Sequence, residues 1–181
     1  LRHMFTLRCT RKLLRRIGAT PSSEAIAPST VLGDWYANLL YTRPTQLVLA
    51  MSERSLLAVV VPAAPLHTLQ ERLRMQVEEL LGAIGVPPEC VAREVEAMRE
   101  VLVGTTASRA VLGCMNDAVA QLQAYPRGRR GELPSLVDLE LHLAENIYSL
   151  TEYRTPWMRT LELFGVQGGV RARRVPQGSL H

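Results

Sequence analysis

Lysine is almost missing from this chain. Of 21 basic residues only Lys12 is a lysine, and the rest are arginines. Cysteine is scarce as well: Cys9, Cys90 and Cys114 are odd in number, far apart and form no CxxC pair. That excludes a disulfide framework and a Cys-based zinc site, and it fits a reducing compartment. Away from the ends, histidine is limited to His67 and His142, neither with a ligand-spaced partner, so a His-based metal site is not supported. No apolar run approaches the roughly 18 residues of a membrane span. There is no GxSxG elbow and no Walker A loop. Gly165-Val-Gln-Gly-Gly169 does not match GxGxxG and follows an expected helix, which argues against a dinucleotide site. The expectation is therefore a protein with no cofactor and no metal, closer to a binding protein than to an enzyme.

What is present is ordinary for a folded domain: 181 residues, 47% hydrophobic and 21% charged. The charge is unevenly placed. Residues 4–23 carry Arg8, Arg11, Lys12, Arg15 and Arg16 with no acid, and the tail adds Arg171, Arg173 and Arg174. Residues 24–170 hold 12 basic and 17 acidic residues, so an acidic body lies between basic ends. A GC-rich genome produces such an arginine bias without selection for function. Either way, arginine offers a planar fork suited to phosphate and carboxylate. Leu1-Arg2-His3 and Gly178–His181 read as cloning residues, with a natural start at Met4. The basic segment after Met4 lacks the apolar core of a secretory signal, so the expected location is the cytoplasm.

Along the chain, Phe5–Thr10 alternates apolar and polar as a half-buried strand does. Thr10 is positioned to cap a helix over Arg11–Ile17 that Gly18 ends, and residues 19–30 form a loop. Trp35–Thr42, Gln46–Met51 and Leu56–Val61 predict a three-stranded antiparallel meander. The spacing of Leu66, Leu69, Leu73, Val77, Leu80, Leu81 and Ile84 predicts a helix stopped by Gly85. Pro87-Pro88-Glu89 opens its hairpin partner, which runs to about Arg99. Val101–Val103 predicts a short strand, and Val111 to Leu122 a further long helix capped by Ser108. Val137–Leu143 fits both periods; leucine, glutamate and Ser135 as N-cap favour helix. Pro156–Phe164 predicts a last helix. The sum is one α+β domain over 4–164, a small and mostly antiparallel sheet of four or five strands with about five helices. A flexible basic tail follows over 165–181.

Phe5-Thr-Leu-Arg-Cys-Thr-Arg-Lys-Leu-Leu14, Leu32-Gly-Asp-Trp-Tyr-Ala-Asn-Leu-Leu40, Ser52-Glu-Arg-Ser-Leu-Leu57 and Val111-Leu-Gly-Cys-Met-Asn-Asp117 occur in this order. Together they resemble a family of uncharacterised bacterial proteins, a domain of unknown function, over about 4–164. Tyr153-Arg154-Thr155-Pro156 is similar to its closing element. The resemblance implies a bacterial cytosolic protein and supplies no activity. The family motif has serine where this chain has Cys114, and Asn-Arg-Ser where it has Ser108-Arg109-Ala110, which weakens any catalytic role for those hydroxyls.

Three sets of residues are candidates for function. The helix carrying Arg8, Arg11, Lys12, Arg15 and Arg16 has the charge density to contact phosphates, joined by Arg54 and Arg109; the alternative is a solvated face pairing with the acidic body. Asp34, Tyr36 and Asn38 share one strand face and Trp35 the other, so Trp35 or Tyr36 would be available to stack a base; the alternative is a plain sheet face. Arg109, Asn116 and Asp117 would face Asp34 and Asn38 if their helix crosses the sheet, and two aspartates would bind a divalent ion. Ordinary capping explains the same residues. The leading expectation is nucleic-acid binding, RNA before DNA. The alternatives are a protein-interaction module (homodimeric or antitoxin-like) and a metal-dependent nuclease or phosphotransferase.

Overall fold

The computed structural model describes residues 3–128 and 134–167. Five strands, β1 (Met4–Cys9), β2 (Trp35–Leu40), β3 (Leu47–Ser52), β4 (Ala58–Pro62) and β5 (Glu100–Thr105), form one sheet in the order β4-β3-β2-β1-β5. Six α-helices surround it: α1 (Arg11–Ile17), α2 (Leu69–Ile84), α3 (Pro88–Ala97), α4 (Arg109–Ala124), α5 (Leu136–Leu143) and α6 (Pro156–Leu163). The α+β class, the meander and the helical hairpin are as expected.

The sheet is mixed, which corrects the expectation of a mostly antiparallel one. β2–β3–β4 are antiparallel, but β1 runs parallel to both β2 and β5. The reason is connectivity. Tight turns join β2, β3 and β4, whereas β1 reaches β2 through α1 and a long loop, the crossover that parallel pairing demands. β1 and β5 are separated by about half of the chain and pair from Met4↔Glu100 to Cys9↔Thr105.

Both sheet faces are covered. Phe5, Leu7, Cys9, Trp35, Ala37, Leu39, Val48, Ala50, Val59 and Val61 face a core closed by Leu13 of α1, Leu73, Val77 and Leu80 of α2, Val91 of α3, Leu141 of α5 and Leu161 of α6. Tyr36, Leu40, Leu47, Leu49, Met51, Ala58 and Val60 face the opposite way, against Val111, Met115, Ala118 and Leu122 of α4. Strands covered on both sides lose the clean polar alternation of a half-exposed sheet. Val137–Leu143 is helical, and its Ser135 cap accepts a hydrogen bond from the Asp138 N–H. The tail expected over 165–181 lies outside the described residues from 168 onward, as do residues 129–133.

Candidate nucleic-acid interface

α1 begins where β1 ends. Thr10 occupies its N-cap in an extended conformation, but its hydroxyl donates to Asn38 Oδ1 (3.0 Å) and its N–H to the Ala37 carbonyl (3.0 Å). The cap residue thus pins the helix to β2 and makes no capping bond to its own backbone. Asn38, expected in a polar cleft, is the acceptor of that pin. Leu13 is fully buried, Leu14 and Ile17 pack on the same core, and Gly18 ends the helix at φ 66°. Leucines and isoleucine inward leave Arg11, Lys12, Arg15 and Arg16 exposed. Arg15 and Arg16 also lie in the last turn, where the helix dipole favours cations.

The alternative, a solvated face pairing with the acidic body, finds no ion pair to these four cations among the described residues. The ion pairs among the described residues are Arg8–Asp34, Arg99–Glu96, Arg154–Glu162 and Arg159–Glu162. None involves Arg11, Lys12, Arg15 or Arg16, and no hydrogen bond among the described residues ties these four side chains. Among the described residues Lys12 has one partner: its Nζ lies 4.8 Å from the ring centroid of Tyr41, a residue 66% exposed just beyond β2. Arg43 follows Tyr41 by two residues and Arg127 Nη1 donates to the Arg43 carbonyl (2.9 Å), both arginines being exposed. Tyr41, Arg43 and Arg127 were not apparent as site residues in the sequence. The available signal was an aromatic at a strand end beside a polar turn, together with an arginine-rich loop.

Arg8 and Arg54 leave the phosphate-binding set. Arg8 Nε and Nη2 both reach Asp34 Oδ2 (3.0 and 2.8 Å), and Asp34 Oδ1 accepts the Thr6 N–H (2.9 Å). Asp34 is buried, and this pair fastens β1 to the start of β2. Arg54 Nη1 donates to the carbonyls of Thr30 and Val31 (3.3 and 3.1 Å). The loop it grips needs a glycine: Gly33 has φ 78°, and a Cβ there would sit 2.9 Å from Arg54 Cγ. Glu94 completes the clamp, its carboxylate accepting the N–H groups of Val31 and Leu32 (2.7 and 3.0 Å). Burial pushes the Glu94 carboxyl above its usual range, opposed by those two backbone donors.

The stacking role expected of Trp35 or Tyr36 is overturned, since both are fully buried. Trp35 lies in the main core with its Nε1–H unpartnered. Tyr36 lies under α4, its hydroxyl accepting the Ser108 N–H (3.1 Å); burial raises its pKa, and that hydrogen bond works against the rise. The expected acidic cleft does not form. α4 does cross the sheet, but Val111, Met115, Ala118 and Leu122 are its inward residues, while Arg109, Asn116 and Asp117 are exposed. Asp34 is enclosed and already engaged. Among the described residues no group of three His, Cys, Asp or Glu side chains is placed to hold a metal ion. No helix among them is long and apolar enough to cross a membrane.

No curated protein and no solved structure matches the chain. Residues 6–159 match a family described as a domain of unknown function, DUF6933. That stretch runs from within β1 to the first half of α6, with the Arg8–Asp34 pair, the Gly33 loop and α1 inside it, and the chain belongs to that family.

Proposed function

We propose that the protein binds nucleic acid, RNA before DNA, in the cytoplasm, through the exposed face of α1 and the residues beside Tyr41. One observation carries the reading: four adjacent cations on an anchored helix have no carboxylate partner among the described residues. A cluster of that kind attracts a polyanion, and phosphates that displace its counterions give a binding constant that falls with salt.

The test is fluorescence anisotropy of labelled RNA and DNA over a salt series, with wild type and an Arg11→Glu/Arg15→Glu/Arg16→Glu variant. Four phosphate contacts give a slope of about −3 in log K against log salt for a single strand. The reversed variant is expected to lose binding while keeping its fold by circular dichroism, since all three side chains are exposed. A folded wild type that binds neither nucleic acid at low salt rejects the reading.

A protein-partner reading has one observation in its favour. Ile147, Leu150, Tyr153 and Met158 are 68%, 47%, 75% and 43% exposed within one short segment. Apolar groups gathered on a surface mark interaction sites. Light scattering of the purified chain separates a homodimer from a monomer that docks elsewhere. No metal-dependent chemistry is proposed, because Asp34 is committed to Arg8 and Thr6.

A further inference from the structure

We infer that Tyr41 is a base-stacking platform, so that the α1 surface selects unpaired nucleic acid over duplex. The inference rests on the nucleic-acid reading above and deepens it. A basic helix by itself reads only phosphate, which single strands and duplexes both present. Discrimination requires a group that engages the face of a base, and in a duplex those faces are covered by their neighbours.

Tyr41 is placed to be that group. It meets α1 through Lys12, whose Nζ lies 4.8 Å from its ring centroid. It is 66% exposed, whereas Trp35 and Tyr36, six and five residues earlier in the same segment, are fully buried. An exposed ring held by one cation is oriented while much of its surface stays open. An aromatic face against which a cation rests is also a favourable surface for base stacking. The flanks are basic. Arg43 follows two residues later, and the Arg127 guanidinium that donates to its carbonyl has further N–H donors for a phosphate. Phosphate contacts on either side of a stacked base are the arrangement by which single strands are tracked without sequence readout. The other strongly exposed tyrosine, Tyr153, sits in the apolar segment containing Ile147 and Leu150 and is no part of this surface.

The experiment measures binding of a labelled oligoadenylate RNA, its DNA counterpart and an RNA duplex of equal length. The proteins are wild type, Tyr41→Phe and Tyr41→Leu. Wild type is expected to favour the single strands. Tyr41→Leu should weaken single-strand binding by about fivefold to a hundredfold, the range one base–aromatic stack represents. Duplex binding and the salt slope should stay unchanged in that variant, because a stack releases no counterions. Tyr41→Phe keeps the ring and should bind as wild type does. Equal weakening of single-strand and duplex binding by Tyr41→Leu would mean that Tyr41 only positions Lys12, and that overturns the inference. So would a wild type that binds duplex as tightly as single strand. In both cases the α1 reading survives, since reversal of Arg11, Arg15 and Arg16 would still abolish binding. Absence of all binding rejects the reading and the inference together.

Discussion

At the scale of single residues, several polar groups that look functional in the sequence are ones the fold has already used. Asp34 is the clearest. Its two oxygens answer Thr6 and Arg8, and removing it strands a half-buried guanidinium and a buried N–H. Taking one partner from a buried ion pair costs about 3–5 kcal/mol, and partial exposure of Arg8 moves this case toward the lower end. Asp34→Ala is therefore expected to lose about 3 kcal/mol in urea unfolding. Asp34→Asn, which keeps an acceptor for Thr6, should lose less. Equal stability of Asp34→Ala and wild type would mean the pair carries no weight. The sequence already shows that Asp34, Tyr36 and Asn38 share a face, because strand alternation says which side chains point together. It does not show whether that face meets water. The cover over Tyr36 is α4, some 70 residues away in the sequence, and its arrival is a tertiary event that no local period contains.

At the scale of elements, α1 and the β2–β4 meander were legible because their signals are local: Gly18 after Ile17, and tight turns between apolar strands. The direction of β1 was also encoded, since a strand, a helix and a second strand in succession is a parallel crossover. The buried acids were less visible. Glu94 and Glu140 occupy apolar phases of their helices, Glu94 three residues from both Val91 and Ala97, and Glu140 three from Val137 and Leu143. A carboxylate in that phase is the available signal. Glu140 explains why α5 sits where it does. β4 is an edge strand, and Glu140, fully buried, accepts the Val60 N–H (2.7 Å) and the Gln76 side-chain amide (2.8 Å). Burial lifts its carboxyl to about 8, against the pull of those two donors and with a small push from Glu79. A carboxyl raised in the folded state binds its proton more tightly there than in the unfolded chain. Its stabilising effect is thus full below the unfolded value of about 4.3 and is lost as pH rises toward 8. Glu140→Gln, neutral at every pH, is expected to gain stability relative to wild type across that window, by at most about 1.4 kcal/mol per pH unit. Urea unfolding of both proteins at several pH values measures it. A difference that does not change with pH rules out titration of Glu140.

At the scale of the whole molecule, β1 joins two parts of the sheet. On one side is the β2–β4 meander, on the other β5, which arrives after α2 and α3. A chain beginning at Thr10 would retain every helix and still lose the strand between β2 and β5. Such a chain is expected to unfold without cooperativity, with Trp35 emission shifted to the red as its pocket opens to water. A truncated chain that melts sharply near the wild-type temperature would contradict the sheet order. The basic surface belongs to this scale too. α1 is the crossover helix between two parallel strands, so sheet topology and the buried Leu13 set the position from which its charge is displayed.

The central place of β1 has a consequence for synthesis. It leaves the ribosome before the other four strands, yet its neighbour on one side is complete only at residue 105. At about 5–20 residues per second, the interval between finishing β2 and finishing β5 is roughly 3–13 s. Throughout that time the nascent chain presents β1 as a bare strand edge lined by Phe5 and Leu7, the kind of surface on which neighbouring chains pair. Translation speed between residues 40 and 105 therefore sets how long the growing protein is open to aggregation.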